Sequence, residues 1–222
     1  MLQRDIADDI PVFRVPEFDA VRSAVGDCRG LRVLDAGCGT GQFSAALKQA
    51  DSIAVMDLSL NDLKQREFRS SAQVVCGNVT AMPFPANSFD AAICTSVISH
   101  LPGPEQRRAL LMELARVLRP GGKLVITTMH FNFRFQRKGT PQESYEDGVY
   151  YRKYLVNEFR SELAAHFVVT ELWGLWNYLP KTYRIYLALG KHVIPWERFV
   201  RTKQISLKYG KFLLAICRKK PE

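Results

Sequence analysis

Residues 33–41 read Val33-Leu34-Asp35-Ala36-Gly37-Cys38-Gly39-Thr40-Gly41, an apolar run that reaches an acid and then sets glycine at alternate positions. Together with the residues before it, LRVLDAG (31–37) is short, rich in leucine and valine, and stops at glycine, which is the pattern of a buried strand. The next nine residues, QFSAALKQA (42–50), have the composition of a helix. Glycine lets the backbone take up positive φ and approach a ligand closely. In an open α/β sheet the first turn from strand to helix lies at the carboxyl edge, where ligands bind. One stretch therefore predicts both a fold class and the place of a site.

Outward from it, the same alternation continues. SIAVMD (52–57) reads as a second strand ending in Asp57, LSLNDLKQREFRS (58–70) as a helix, AQVVCG (72–77) as a third strand and SFDAAICTSV (88–97) as a fourth. Leu110, Leu111, Leu114, Val117 and Leu118 fall on one face of a helix that starts at Pro104. Pro120-Gly121-Gly122 closes that helix, and KLVITT (123–128) begins a fifth strand. Continuous apolar strands alternating with helices predict a parallel sheet covered on both faces. Farther on, Leu155, Phe159, Leu163 and Phe167 recur every fourth residue and predict a helix over 150–167. FVVTELWG (167–174) and KFLLAICRK (211–219) read as two closing strands. A hairpin needs a loop of about two to five residues, so residues 177–210 between them are an insertion. Phe131, Phe133 and Phe135 alternate like an exposed edge or a pocket wall, or serve ordinary packing.

The expected architecture is an α/β, Rossmann-like, seven-stranded and mostly parallel sheet with helices on both faces. Its last two strands form an antiparallel hairpin carrying the insertion. Residues 1–222 are read as one domain: an N-terminal helical segment (1–30), a ligand-binding core (31–130), and a basic, aromatic part (131–222).

Composition agrees with this reading. A chain of 222 residues with 47% hydrophobic and 24% charged residues is long enough for one sizeable core. It holds no apolar run of the length that spans a bilayer, and MLQRDIADDIP is acidic where a secretion signal is basic and apolar. The expectation is a cytoplasmic protein, or one lying peripherally on a membrane surface. Five cysteines, odd in number and without a C-x-x-C pair, encode neither a disulfide framework nor a metal site and are expected to be buried thiols.

Charge and aromatics divide the chain in two. Residues 1–130 hold 14 Lys+Arg and 14 Asp+Glu, whereas residues 131–222 hold 17 and 8, so the whole net charge of +9 belongs to the second part. Of 24 aromatic residues, 18 lie there too, including every Trp and Tyr.

The glycine spacing bears on the ligand. G-x-G-x-G differs from the dinucleotide fingerprint G-x-G-x-x-G, and no G-K-[ST] follows as in a phosphate-cradling loop. Asp35, placed at the mouth of a dry turn, would repel a pyrophosphate by several kcal/mol, an order-of-magnitude figure for intermediate dielectric. A ligand cationic at that end and free of phosphate, such as S-adenosylmethionine (SAM), fits better.

VLDAGCGTG, then VMDLS (55–59), CGNVTAMPFPANSFDAAICTSVISHL (76–101) and ELARVLRPGGKLVIT (113–127) together resemble a class I SAM-dependent methyltransferase, in the branch that includes the quinone C-methyltransferases. The resemblance implies that Asp35, Gly37, Cys38, Gly39 and Gly41 shape the methionine and ribose end of a SAM pocket. It implies that Asp57, with Leu58 beside it, receives the ribose hydroxyls, and that Asn78 and Val79 flank the adenine, with Met82 packing there or in the core. Many relatives carry an acid where Asn78 stands; an amide also accepts a hydrogen bond from the adenine amine.

Methyl transfer asks mainly for alignment, worth about 7 to 11 kcal/mol, against roughly 10² to 10⁴ in rate from a general base. If a base is used, His100 is the first candidate, because SVISHLP lies just past the fourth strand. His130 and the tyrosines Tyr150 and Tyr151 follow. The N-P-P-Y type segment of nucleobase amino-methyltransferases is missing after that strand, where CTSV stands. The basic aromatic part admits several readings: a lid over a small or lipid-like acceptor with Trp173, Trp176, Tyr178, Tyr183 and Trp196 as walls, an anionic membrane surface, RNA, or a solvated face. A quinone-type acceptor ranks first and tRNA or other RNA second. A non-catalytic SAM-binding regulator or partner protein is the alternative from another class. No DNA partner is expected.

Overall fold

A computed structural model describes residues 14–65, 72–178 and 182–221. Seven strands form the main sheet: β1 (Arg32–Ala36), β2 (Ser52–Asp57), β3 (Gln73–Cys76), β4 (Phe89–Thr95), β5 (Leu118–Met129), β8 (Phe167–Leu175) and β9 (Phe212–Lys219). Their order is β3-β2-β1-β4-β5-β9-β8. Strands β1 to β5 pair in parallel, while β9 runs antiparallel to both β5 and β8. The predicted mostly parallel sheet with an antiparallel end is therefore present, and its order reverses between β1 and β4.

Alternating side chains along each strand build two cores. On one face Leu34, Met56, Ala92, Ile126 and Ala215 pack under α3 (Pro104–Val117) and α5 (Val156–Ala164). On the other, Val33, Val55, Ile93, Val125 and Leu214 pack under α1 (Val15–Val25), which contributes Phe18, Val21 and Val25. The apolar stripe read from Leu110 to Val117 is fully inside.

Five local readings change. Pro120-Gly121-Gly122 does not close the helix from Pro104, which ends at Val117; with Leu118 it lies inside β5. QFSAALKQA forms only a 3-10 turn, Ser44–Leu47, held by i to i+3 bonds and by Ser44 reaching back to Asp35. The helix expected over 150–167 is shorter, because Tyr150 and Tyr151 lie in β7 (Val149–Arg152), paired with β6 (Glu143–Glu146). Tyr154 is tied to Met129 and Phe131 by backbone bonds, so the helix starts only at Val156. Phe167 already belongs to β8. HFNFRF is not an extended edge: Asn132 accepts bonds from the amides of Arg134 (3.0 Å) and Phe135 (3.2 Å) and starts α4 (Phe133–Arg137), from which Phe133 lines a cleft. Finally, Cys76 is exposed, whereas Cys28, Cys38, Cys94 and Cys217 are buried free thiols as expected.

The insertion is helical where it is described. It carries α6 (Tyr183–Ala188), a 3-10 turn (Gly190–Val193), α7 (Ile194–Val200) and α8 (Ser206–Tyr209). Two buried acids hold it. Glu197 of α7 receives the Asn177 amide (2.7 Å), the Asn177 side chain (3.1 Å) and the Tyr186 hydroxyl. Asp19 of α1 receives Arg198 (2.6 Å) and Arg201 (3.0 Å). Among the described residues no helix is long and apolar enough to cross a membrane, and no cluster of three potential metal ligands occurs.

Candidate functional site

The glycine loop leaves β1 and is stitched to the end of β2. Gly37 and Cys38 donate their amides to the Met56 carbonyl at 2.8 and 2.9 Å, and Gly39 donates to Asp57 Oδ2 at 2.7 Å. The other oxygen of Asp57 accepts from the Ser59 amide at 2.9 Å, just where Ser59 caps α2 (Leu60–Lys64). Asp57 thus joins the loop to the next helix, and each oxygen, with one donor among the described residues, keeps a lone pair for a ligand.

A cleft of about 360 Å³ opens here, lined by Arg14, Gly37, Asp57, Leu58, Asn78, Val79, Thr95, Ser96, Val97, His100 and Leu101. It brings together six of the residues singled out from sequence: Gly37, Asp57, Leu58, Asn78, Val79 and His100. Leu58 is 72% exposed, an apolar platform at the rim. Asn78 accepts from the amide and the hydroxyl of Thr80, both at 2.9 Å, which fixes its amide in a tight turn.

Asp35 lies elsewhere than expected. It has no exposed surface and sits beneath the loop, away from the mouth, with Oδ2 receiving the Ser44 hydroxyl at 2.6 Å and Oδ1 without a hydrogen-bond partner. Burial first, and the nearby Asp57 charge after it, push this carboxyl up to about 7, against the bond from Ser44. A group half neutral near pH 7 repels phosphate less than an exposed carboxylate would. Cys38 is buried too, its thiol pushed up by burial, and it does not line the cleft. Gly39 (φ 52°) and Gly41 (φ 79°) shape the loop by positive φ and also stay off the lining. Met82 packs in the core, where its amide donates to Glu113.

Gly37 is required twice over: its φ is +77°, and a Cβ there would lie 2.2 Å from Val97 Cγ2. Gly37→Ala should lower the melting temperature by at least about 4 °C in a thermal scan, and displace the Val97 wall.

His100 closes the mouth. Its Nδ1 lies 3.0 Å from the Tyr150 carbonyl, and its ring meets Tyr151 edge-on at 4.9 Å. Since a carbonyl only accepts, the neutral ring carries its proton on Nδ1 and keeps the Nε2 lone pair. The three predicted residues His100, Tyr150 and Tyr151 thus meet, through the β7 hairpin instead of a helix end. His130 does not join them. It is buried, bonded through Nδ1 to the Gly210 carbonyl at 2.8 Å, and held by burial down to about 4. It lines a separate cleft of about 550 Å³ with Phe133, Leu155, Leu207 and Lys208. Trp176 is 2% exposed, stacked near Phe212 and Tyr186 in the core, and is not among the cleft residues.

Five lining residues escaped sequence reasoning, Thr95, Val97 and Leu101 as walls and two polar ones, Arg14 and Ser96. Arg14 reaches the cleft from the start of α1, salt-bridged to buried Glu17 at 2.9 Å and lying over Phe43. Ser96 takes φ 60° after β4, bonded by its amide to Thr127 and by its hydroxyl to Glu17. Such a non-glycine conformation costs about 1–3 kcal/mol and gathers at ligand sites. Its only sequence signal was its place after a strand end.

Comparison with known proteins agrees with this geometry. Residues 34–126 match the family described as methyltransferase domain. A demethylmenaquinone methyltransferase from Renibacterium salmoninarum is 38% identical over 108 residues, covering 48% of this chain and 44% of that protein. The match thus spans less than half the length of that relative. Among solved structures, an S-adenosylmethionine dependent methyltransferase from Mesorhizobium loti superposes with a TM-score of 0.67 at 19% identity, covering 94% of this chain and all of the other. A 1,6-didemethyltoxoflavin-N1-methyltransferase from Burkholderia thailandensis, solved with S-adenosylhomocysteine, gives 0.64 at 21% identity, covering 98% and 82%. At these identities the structures establish the fold.

Proposed function

We propose that this chain, whose residues 34–126 match the methyltransferase-domain family, transfers a methyl group from SAM to a small, lipid-like acceptor of the quinone type. The observation that carries the reading is the convergence of Asp57, Leu58, Asn78 and Gly37 on one cleft with His100 at its mouth. The volume of about 360 Å³ suits a nucleoside-sized ligand. Asp57 offers lone pairs to two ribose hydroxyls, Leu58 an apolar face to a purine, and Asn78 and Val79 its edge. Arg14 places a guanidinium where a carboxylate can be received. Asp35, off the cleft lining, supports the glycine loop from beneath through Ser44.

SAM supplies a methyl group already activated by its sulfonium. The chain's own residues then align the acceptor and keep water out. His100 Nε2 is free to take the proton that an acceptor hydroxyl or activated carbon releases, and Tyr151 holds the imidazole ring. The quinone assignment draws on the demethylmenaquinone relative and on the lack of an N-P-P-Y type segment after β4, where CTSV stands.

Isothermal titration tests the cofactor: S-adenosylhomocysteine should bind and NAD should not, and the reverse would sink the reading. Labelled SAM incubated with lipid, RNA and small-molecule fractions tests the acceptor, label being expected in the lipid fraction. His100→Ala should lower turnover by about 10² to 10⁴ with cofactor affinity nearly unchanged; full turnover would remove it as the base.

A further inference from the structure

We infer that the helical insertion is a docking surface for an anionic lipid bilayer. Thirteen large hydrophobic side chains are exposed among the described residues, and five of them lie in the insertion: Ile185 (62%), Leu189 (48%), Trp196 (48%), Phe199 (66%) and Ile205 (58%). Their placement follows from what the helices bury. In α7, Glu197 and Val200 face inward, so Trp196, Phe199 and Lys203 share the outer side, with the Lys203 ammonium 5.6 Å from the Phe199 ring. In α6, Tyr186 faces inward and Ile185 and Leu189 outward.

The charge of this surface has one sign. Among the described residues of the insertion, Arg184, Lys191, Lys203 and Lys208 are exposed, Arg198 is exposed but turned to Asp19, and the one acid, Glu197, is buried against Asn177 and Tyr186. The acid serves the interior and leaves the outside basic. The face continues onto α4, where Lys208 lies 4.8 Å and Arg137 5.8 Å from the ring of Phe133, itself edge-on to Tyr209.

Exposed apolar side chains ringed by lysine and arginine match a bilayer interface, which takes apolar groups into the acyl boundary and attracts cations to its headgroups. Three of the five apolar side chains are aliphatic, and an aliphatic side chain offers no stacking platform to a base. That favours lipid over RNA. The inference does not depend on methyl transfer, since it concerns a surface outside the cofactor cleft.

The test is co-sedimentation of the full chain with vesicles of phosphatidylcholine alone or mixed with phosphatidylglycerol, with bulk tRNA as competitor. Binding to the anionic vesicles only is expected, weakened but not abolished by salt. The double variant Phe199→Ser/Ile205→Ser should lose at least tenfold in partitioning while its circular dichroism, melting temperature and S-adenosylhomocysteine binding stay as in the parent. Lys203→Glu, which keeps the apolar groups, should lose less and abolish the salt dependence in part. No binding to anionic vesicles, or unchanged binding by the double variant, would overturn the inference. So would tRNA binding that outcompetes the vesicles and is insensitive to the double substitution.

Discussion

Asp57→Ala weakens S-adenosylhomocysteine binding by at least about tenfold in isothermal titration. Losing one hydrogen bond to a charged acceptor typically costs about 1.5 to 3 kcal/mol, which is tenfold or more in affinity. Here the loss spreads further, because the same carboxylate receives the Gly39 and Ser59 amides. Alanine leaves both donors without their acceptor, so the loop and the start of α2 loosen together. Asp57→Asn should fall between, since its single carbonyl oxygen can serve one of the two amides. Unchanged affinity in the alanine variant would mean that the cofactor does not sit at the end of β2.

Asp19→Ala lowers folding stability by about 3 to 5 kcal/mol in urea denaturation, the range for removing one partner of a buried ion pair. Asp19 is 3% exposed, and Arg201, with 8% of its side chain exposed, would be left with a buried charge and no carboxylate. The contact also bridges 182 residues of sequence, tying the first described helix to the insertion. Burial opposes ionisation of Asp19, but bonds and charge from Arg198 and Arg201 outweigh it, and the carboxyl titrates below its ordinary 3.8. A depressed acid stabilises the fold above its unfolded value, and that contribution disappears as pH falls through the lower folded value. Acid unfolding of the parent should therefore steepen below about pH 4, and the alanine variant should lack that component.

Much of this molecule was legible in its sequence because β1, β2, β4 and the second half of β5 are buried on both faces, and burial writes itself as continuous apolar runs. The ligand edge was legible for a related reason. Gly37 and Asp57 lie within a few residues of a strand end, so local pattern was enough to bring them to one cleft. Asp35 was misjudged because its neighbours in sequence do not reveal depth: only the packing of Ser44 over it shows that the carboxyl is underneath the loop. Arg14 was invisible because it reaches the cleft from the start of α1, far in sequence from the glycine loop, on the support of the buried Glu17. The hairpin bearing Tyr150 was missed since a spacing of four at Leu155, Phe159 and Leu163 continued by coincidence to Phe167, which faces the same core from a strand.

The order of the main sheet also bears on how the chain reaches its shape. Strand β8 meets the sheet only through β9, which is the last described strand along the chain and lies between β5 and β8. While the polypeptide emerges from the ribosome, β1 to β5 can assemble by short parallel crossovers, yet β5 must wait with an open edge along Val125 and Ile126. Unpaired apolar edges of this kind invite wrong partners. The segment hung between β8 and β9 has an anchor that does not depend on that edge, since Arg198 and Arg201 hold it to Asp19 of α1. The interval before β9 is made is thus the one in which this chain is most open to mispairing, and the last described strand protects the sheet by closing both β5 and β8 at once.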